Sequence, residues 1–349
     1  MSHRVLVIGG YYDQINTLVE KGFTVVALLP IGRYKEMVPR AEVKTYFVNV
    51  TDKEQCQVIA TKEHKHNRFS AVMSHYELSI PIAANVVSFL GIPGPCRHAA
   101  QIIRDKTRTR ELANRCSDVD APYDIVVNKE QVLEFISEFG SSVIKPSAGV
   151  GGRDIQLIRT PVDIDYYLSG IDLKSETFQI EQFIEGFEFS VEGFMDLGGH
   201  TIVAVTGKSQ PRSPTFVETT HVQSKTIEAW CSNELKLRIN ILLEEFYRYV
   251  GYQLGATHSE FILTPEGKLY LLEGHLRTGG FSIWELTRIT TGVDLFLHHT
   301  LRLLGKDTVL TVQESEHSAT ITGLSCQPGR VHNVSFEIDP KDGLPAPTR

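Results

Sequence analysis

The first stretch of the chain sets a rhythm. Val5 to Ile8 is continuously apolar, Gly9-Gly10 follows, and Ile15, Leu18 and Val19 then fall at helical spacing before Gly22. This pattern predicts a buried strand, a tight turn and a helix packed back on the strand. Thr24 to Leu29, Thr45 to Val48 and Ala71 to Ser74 read as three further buried strands with helical patterns between several of them, which predicts a parallel α/β sheet. Ligands of such sheets sit at the carboxyl ends of the strands, the side that carries Gly9, Gly10 and His75-Tyr76-Glu77. The full G-x-G-x-x-G is absent, so the glycine pair is equally well a plain tight connection.

An apolar helix from Ile80 to Leu90 runs into Gly91-Ile-Pro-Gly-Pro95, a stop signal that marks a first domain of residues 1–95. A helix from His98 to about Asn114 opens the second unit. Residues 124–195 alternate strand and helix patterns as a small α+β module: Ser142 to Lys145, Asp154 to Ile158, a helix started by Thr160-Pro161, and Phe178 to Phe183. Thr201 to Gly207 is strand-like, 209–215 is irregular, and a helix from about Ser232 to Val250 carries Leu235, Ile239, Leu242, Phe246 and Val250 on one core-facing side. Ser259 to Leu263 and Lys268 to Glu273 flank the turn Thr264-Pro-Glu-Gly267 as a hairpin.

At 349 residues the chain suits two or three domains, and its near-average composition excludes disorder, collagen-like structure and a disulfide scaffold. With a net charge of -7 and no run of Lys/Arg with interleaved aromatics, nucleic acid is not an expected partner. The five cysteines are scattered without a C-x-x-C pair, which fits a reducing compartment rather than a zinc or redox site. The opening apolar stretch is too short for a signal peptide or a membrane span, so the expected location is cytoplasmic, with no membrane partner.

Three segments carry chemistry. In Val143-Ile-Lys-Pro-Ser-Ala-Gly-Val-Gly-Gly-Arg153 a buried strand ends in Lys145 and a small-residue loop containing Ser147, Gly149, Gly151 and Gly152. Glycines let backbone N–H groups close around phosphate oxygens while the lysine adds a point charge, although a flexible hairpin has the same composition. Glu181-Gln-Phe183-Ile184-Glu-Gly-Phe-Glu188 places carboxylates around a glycine turn, which alone is equally a solvated acidic turn. In the hairpin, period-two alternation puts Glu273, His275 and Arg277 on one face, and cross-strand pairing can bring Glu260 beside Glu273. Two neighbouring carboxylates among apolar residues call for a cation, and oxygen donors of this kind suit Mg²⁺ together with phosphates.

Taken in order, Lys106, the Lys145 strand and glycine loop, Glu181 to Glu188, Glu260 and Glu273-x-His-x-Arg277 resemble the ATP-grasp superfamily over roughly residues 4–310. The resemblance implies an α/β and α+β multidomain chain: a Rossmann-like N-terminal parallel-sheet domain, an ATP-grasp domain over 96–310 with a small lid subdomain at about 118–185 and a C-terminal antiparallel sheet, and a hairpin and tail over 311–349. It implies that Lys106 and Lys145 hold the phosphates of ATP under the 147–153 loop, that backbone near Glu181, Phe183 and Ile184 meets adenine, and that Glu188 meets the ribose. Glu260 and Glu273 would bind Mg²⁺, two ions in all, with Mn²⁺ as an alternative. The superfamily usually has Asn where this chain has His275, a residue that would instead orient Glu273 or touch substrate.

Within the superfamily the chain looks most like the L-amino acid ligases that make dipeptides, often for peptide antibiotics. Glu218 and His221 resemble their amino-acid site and follow Lys208; Arg277, Gly280 and Phe281 resemble the stretch that stabilises the substrate carboxyl and shapes the pocket, with Glu77 facing the same substrates. The activity implied is formation of an amide between two small molecules through an acyl phosphate, with a homodimer as the default assembly. A carboxylase or ligase of purine-type metabolism and a non-catalytic ATP-binding regulator share the same ATP machinery.

Overall fold

A computed structural model describes residues 3–31, 40, 42–149, 151–152, 154–209, 218–313 and 317–323. Most of the 209–215 stretch and most of the hairpin and tail expected over 311–349 lie outside those residues.

The N-terminal unit contains β1 (Arg4–Ile8), α1 (Tyr12–Glu20), β2 (Thr24–Pro30), β3 (Lys44–Val48), α2 (Lys53–His66), β4 (Ala71–Met73) and α3 (Ile80–Leu90). Its four strands are parallel in the order β3-β2-β1-β4. Because side chains alternate along a strand, Val5 and Val7 pack with Ile15 and Leu18 of α1, while Leu6 and Ile8 pack with Cys56 and Ala60 of α2 and Ala83 of α3. Burial on both faces is why β1 reads as an uninterrupted apolar run.

Helical periodicity from His98 to Asn114 suggests one helix, but the chain forms two, α4 (Arg97–Ile103) and α5 (Lys106–Cys116). The break is made by Asp105, whose carboxylate accepts from the N–H groups of Thr107 (3.1 Å) and Arg108 (3.2 Å) and so starts a new helix at Lys106.

Next come β5 (Tyr123–Ile125), α6 (Lys129–Phe139), β6 (Ser142–Pro146), β7 (Gln156–Ile158), α7 (Pro161–Ser169) and β8 (Phe178–Gln182). They form a small antiparallel sheet, β5-β8-β6-β7, whose Ile144, Ile158 and Ile180 pack under Val132, Phe135 and Ile164 of the two helices. A capping box between Thr160 and Asp163 opens α7, as the Thr-Pro start predicts.

The small module ends sooner than its pattern suggests, because β9 (Phe187–Asp196) leaves it for a larger sheet. That sheet also holds β10 (Gly199–Ser209), β11 (Thr220–Gln223), β12 (Gly255–Leu263), β13 (Leu269–His275) and β14 (Ala319–Thr322), with α8 (Lys225–Trp230), α9 (Asn233–Val250), α10 (Ile283–Thr291) and α11 (Leu295–Leu303) around it. Its antiparallel order is β13-β12-β9-β10-β11-β14. Ile239, Leu243 and Phe246 of α9 pack on Phe189, Val191, Phe261 and Leu271 on one face of this sheet, leaving the other face for polar chemistry.

Two features cut across the boundaries drawn from the sequence. Phe296 of α11 joins the core of the N-terminal sheet, so the far end of the second unit helps to close the first. The strand β14 pairs with β11, so residues beyond 310 complete the large sheet. Among the described residues, no helix is long and apolar enough to cross a membrane.

Candidate active site

Alternation along β9, β10, β12 and β13 delivers the polar side chains to one face. The register pairs Glu188 with Ile262, Ser190 with Glu260, Glu192 with His258, His258 with His275, and Glu260 with Glu273. The expected cross-strand carboxylate pair therefore exists as a direct ladder partnership. A bulge follows it: Phe261 pairs with Leu271, which leaves Leu272 as the extra residue. Leu272 and Glu273 consequently both line the site, while Phe261 and Leu271 remain in the core behind it.

This face, the small sheet, the loop after β6 and the strand ends of the N-terminal unit enclose a cavity of about 750 Å³. Lys106, Lys145, Gly149, Gly151, Gly152, Glu181, Phe183, Ile184 and Glu188 line it, as do Lys208, Glu218, His221, Glu260, Glu273, His275, Arg277, Gly280, Phe281 and Glu77. Ser147 does not; its carbonyl accepts from the Lys106 N–H (2.9 Å) and its N–H donates to Thr177 (2.8 Å), which ties the loop to the start of α5.

The cations lie among carboxylates. Lys106 is ion-paired with Glu273, and Lys145 sits 2.5 Å from Glu181 and 3.9 Å from Glu273. Burial pushes against ionised Glu181, but Lys145 and Arg110 outweigh it and hold the carboxyl below its ordinary range. Burial likewise opposes ionised Glu273, and Lys106 with Lys145 brings it down to about 2. Burial lowers Lys145, with Glu181 and Glu273 opposing that shift.

A second cluster surrounds Lys208, whose ammonium is fully buried, 2.5 Å from Glu218, 3.0 Å from Glu260 and 3.3 Å from Glu188. One lysine cannot satisfy three carboxylates: burial, then Glu218 and Glu260, pushes Glu188 up to about 8 although Lys208 opposes the shift. Glu260 stays ionised well below its usual range, because Lys208 and His258 overcome its burial. The donor atoms of Glu260, Glu273 and His275 lie within 4.8 Å of one another, as do those of Glu188, Glu218 and Glu260. This surplus of negative charge, carried by oxygen donors, fits a divalent cation.

Toward the N-terminal unit, Glu77 accepts from Arg277 (2.5 Å), lies 3.2 Å from Nδ1 of His275, and has Arg104 at 3.7 Å. Burial disfavours ionised Glu77, yet Arg277 and His275 keep it well below the carboxylate range. Arg277 is thus already paired with a carboxylate. His221, 3.7 Å from Glu218, tilts against the ring of Phe281 at 5.3 Å.

Sequence reasoning missed Arg110, His258 and Glu192. Arg110, one turn after Lys106, donates to Glu181 (3.0 Å) and to the carbonyls of Leu271 and Leu272 (2.7 Å each), joining α5, β8 and β13. His258, two residues before Glu260 and so on the same face, lies 3.1 Å from Glu260 and 2.8 Å from Glu192. Burial lowers its basicity, but Glu192 and Glu260 raise the imidazole to about 9. Glu192 also accepts from the Gly279 N–H at 3.2 Å, linking the metal-type donors to the Arg277 loop. Behind that loop, His75 lies 3.2 Å from the Thr278 hydroxyl and 3.0 Å from His299, and Gln14 donates to the same hydroxyl at 3.2 Å. His75 is fully buried and, with His299 and Arg277 nearby, is held neutral well below the usual imidazole range.

Comparison with known proteins agrees with this architecture. The family profile of the ATP-grasp domain matches residues 140–285. The chain is 27% identical over 248 residues to a carbamoyl-phosphate synthase of Methanobrevibacter smithii, covering 68% of this chain and 60% of that protein. It is 24% identical over 295 residues to an alanine–anticapsin ligase of Bacillus subtilis, covering 72% of this chain and 61% of that one. The chain thus spans about three fifths of the length of these curated relatives. The crystal structure of an L-amino acid ligase from Bacillus licheniformis superposes with a TM-score of 0.72 at 17% identity, over 87% of this chain and 74% of that one. With the sheet order, the matched segment and the superposition together, the chain has the ATP-grasp fold and carries an ATP-grasp domain over residues 140–285.

Proposed function

We propose that this protein is an ATP-dependent ligase that joins the carboxylate of one amino acid to the amine of another through an acyl phosphate, releasing ADP and phosphate. The observation that carries this reading is the convergence of Lys106, Lys145, Glu260 and Glu273 on one cavity. Lys106 is paired with Glu273 and Lys145 with Glu181 and Glu273, and a triphosphate offers both lysines better partners. Glu260 and Glu273 would hold Mg²⁺, which when bound supplies positive charge beside the phosphate oxygens.

The chain's own residues do the rest. Gly151 and Gly152 have φ near +67° and +68°, a conformation in which successive N–H groups can face an anion. Phe183 and Ile184 form the apolar wall suited to a purine, with Glu188 set toward its ribose. Lys145 and Lys106 neutralise charge as the substrate carboxylate attacks the γ-phosphate, and the small sheet with its loop excludes water from the acyl phosphate. Arg277 and the Gly280 N–H stabilise the oxyanion as the amine attacks, Lys208 holds Glu218 and Glu188 in place, and Glu218, His221 and Phe281 bound the amino-acid pocket.

The direct test is release of ADP and phosphate with pairs of L-amino acids, with mass spectrometry of the product. Glu273→Ala should lower turnover by about 10²-fold or more, the scale of losing one transition-state charge partner. ATP turnover untouched by that substitution would remove the assignment. The likeness to a carbamoyl-phosphate synthase supports a second reading, a carboxylase or carboxylate–amine ligase with a different acceptor, for which turnover would depend on bicarbonate or a ribotide.

A further inference from the structure

The two carboxylate clusters that share Glu260 differ in what fills them. Lys208 lies within reach of all three members of Glu188, Glu218 and Glu260, so part of that group's charge is already matched by an ammonium. The other group, Glu260, Glu273 and His275, sets a nitrogen donor beside two carboxylates.

The orientation of that imidazole is fixed from outside the cluster. Nδ1 of His275 lies 3.2 Å from Oε2 of Glu77, and a carboxylate only accepts, so Nδ1 carries the proton. Glu77 is itself held by Arg277 at 2.5 Å, and the ring of His275 stacks on His258 with centroids 5.5 Å apart and planes inclined by 22°. The neutral tautomer then turns a bare Nε2 toward Oε2 of Glu273 at 3.6 Å. Two lone-pair donors facing each other at that separation are too far apart for a good hydrogen bond and well placed to share a cation. A carboxylate accepting the remote N–H of an imidazole is also the usual support of a metal-bound histidine.

We infer that His275 is a third protein ligand, through Nε2, of the divalent ion held by Glu260 and Glu273, and that this site favours a nitrogen-accepting first-row ion, Mn²⁺, over Mg²⁺. The inference rests on the proposed ATP-dependent reading for the presence of the ion. An all-oxygen set suits Mg²⁺, whereas an imidazole shifts the balance toward transition ions.

The experiment is electron spin-echo modulation spectroscopy on the full chain loaded with Mn²⁺ and the β,γ-imido analogue of ATP. The expected spectrum shows coupling to a directly bound ¹⁴N that changes to ¹⁵N coupling in protein labelled with ¹⁵N-histidine. His275→Asn should lose the coupling while still binding Mn²⁺, and its preference for Mn²⁺ over Mg²⁺ in competition titrations should fall about tenfold. His258→Gln should retain the coupling, which assigns it to residue 275 even if the Asn variant does not fold. Mn²⁺ bound without nitrogen coupling, or coupling that survives in folded His275→Asn, overturns this inference and leaves the ligase reading intact. Failure of Mn²⁺ to bind with the analogue overturns both.

Discussion

Lys145 and Glu181 are each only 3% exposed, a depth at which a lone charge would be lost to neutralisation. They remain charged as a set with Arg110, so removing the shared anion should cost more than one contact. Glu181→Gln is expected to lower stability by about 3 kcal/mol in denaturant unfolding, the scale of breaking a buried pair. Other buried residues set the acid limit of the fold. Burial drives His200 down to about 4, with Asn240 opposing, and drives His299 down to about 3, with His298 adding to the shift. Both are neutral in the folded protein and take up protons near pH 6.5 when unfolded. Their stabilisation is therefore complete above about pH 6.5 and is lost as pH falls toward 4, with a slope approaching about 1.4 kcal/mol per pH unit for each group. Thermal melts between pH 7 and 4 should show this decline, and His200→Gln should flatten it. The same residues show where sequence reading stops. Glu260 and Glu273 could be paired by strand alternation alone, and His258 and Arg110 left faint local signals, at two residues before Glu260 and one turn after Lys106. Glu192 accepts from Ser190 on its own strand, but the partners that tie it to the site come from β12 and the Arg277 loop, far along the chain.

At the level of elements, the parallel strands and the hairpin were legible because each keeps one periodicity from end to end. The break between α4 and α5 was not, since apolar spacing continues through it and only the capping chemistry of Asp105 marks the boundary. Asp105→Ala should cost about 1 kcal/mol in thermal unfolding, and on the proposed reading, in which Lys106 meets the nucleotide, loosening the first turn of α5 should also weaken ATP binding. The bulge at Leu272 was equally hidden, yet it is what allows two consecutive side chains to reach the cavity. Tight packing holds that hairpin against α9: a Cβ on Gly274 would lie 2.5 Å from Cε1 of Phe246. Gly274→Ala is expected to destabilise the fold by about 1–3 kcal/mol in urea titrations, through overpacking rather than any change of charge.

For the whole molecule, the cavity is bounded by three units, each of which contributes only part of its lining. Glu77 comes from the N-terminal unit, Lys145 and Glu181 from the small sheet, and Glu260, Glu273 and Arg277 from the large one. Sequence order could not show that α11 returns to the first sheet or that β14 pairs with β11, because such packing depends on partners far along the chain. If nucleotide bridges the units, amide exchange at 147–152 and 178–184 should slow on adding Mg²⁺ and an ATP analogue, measured by mass spectrometry; unchanged exchange at both segments would speak against closure over a nucleotide. Arg110 gives this arrangement a practical corollary. Since one guanidinium joins a helix, the Glu181 carboxylate of the small sheet and two carbonyls of the large sheet, the small sheet is not an interchangeable cassette. Grafting it from another protein would succeed only when the donor and host agree on residues 110 and 181 together with the strand they grip.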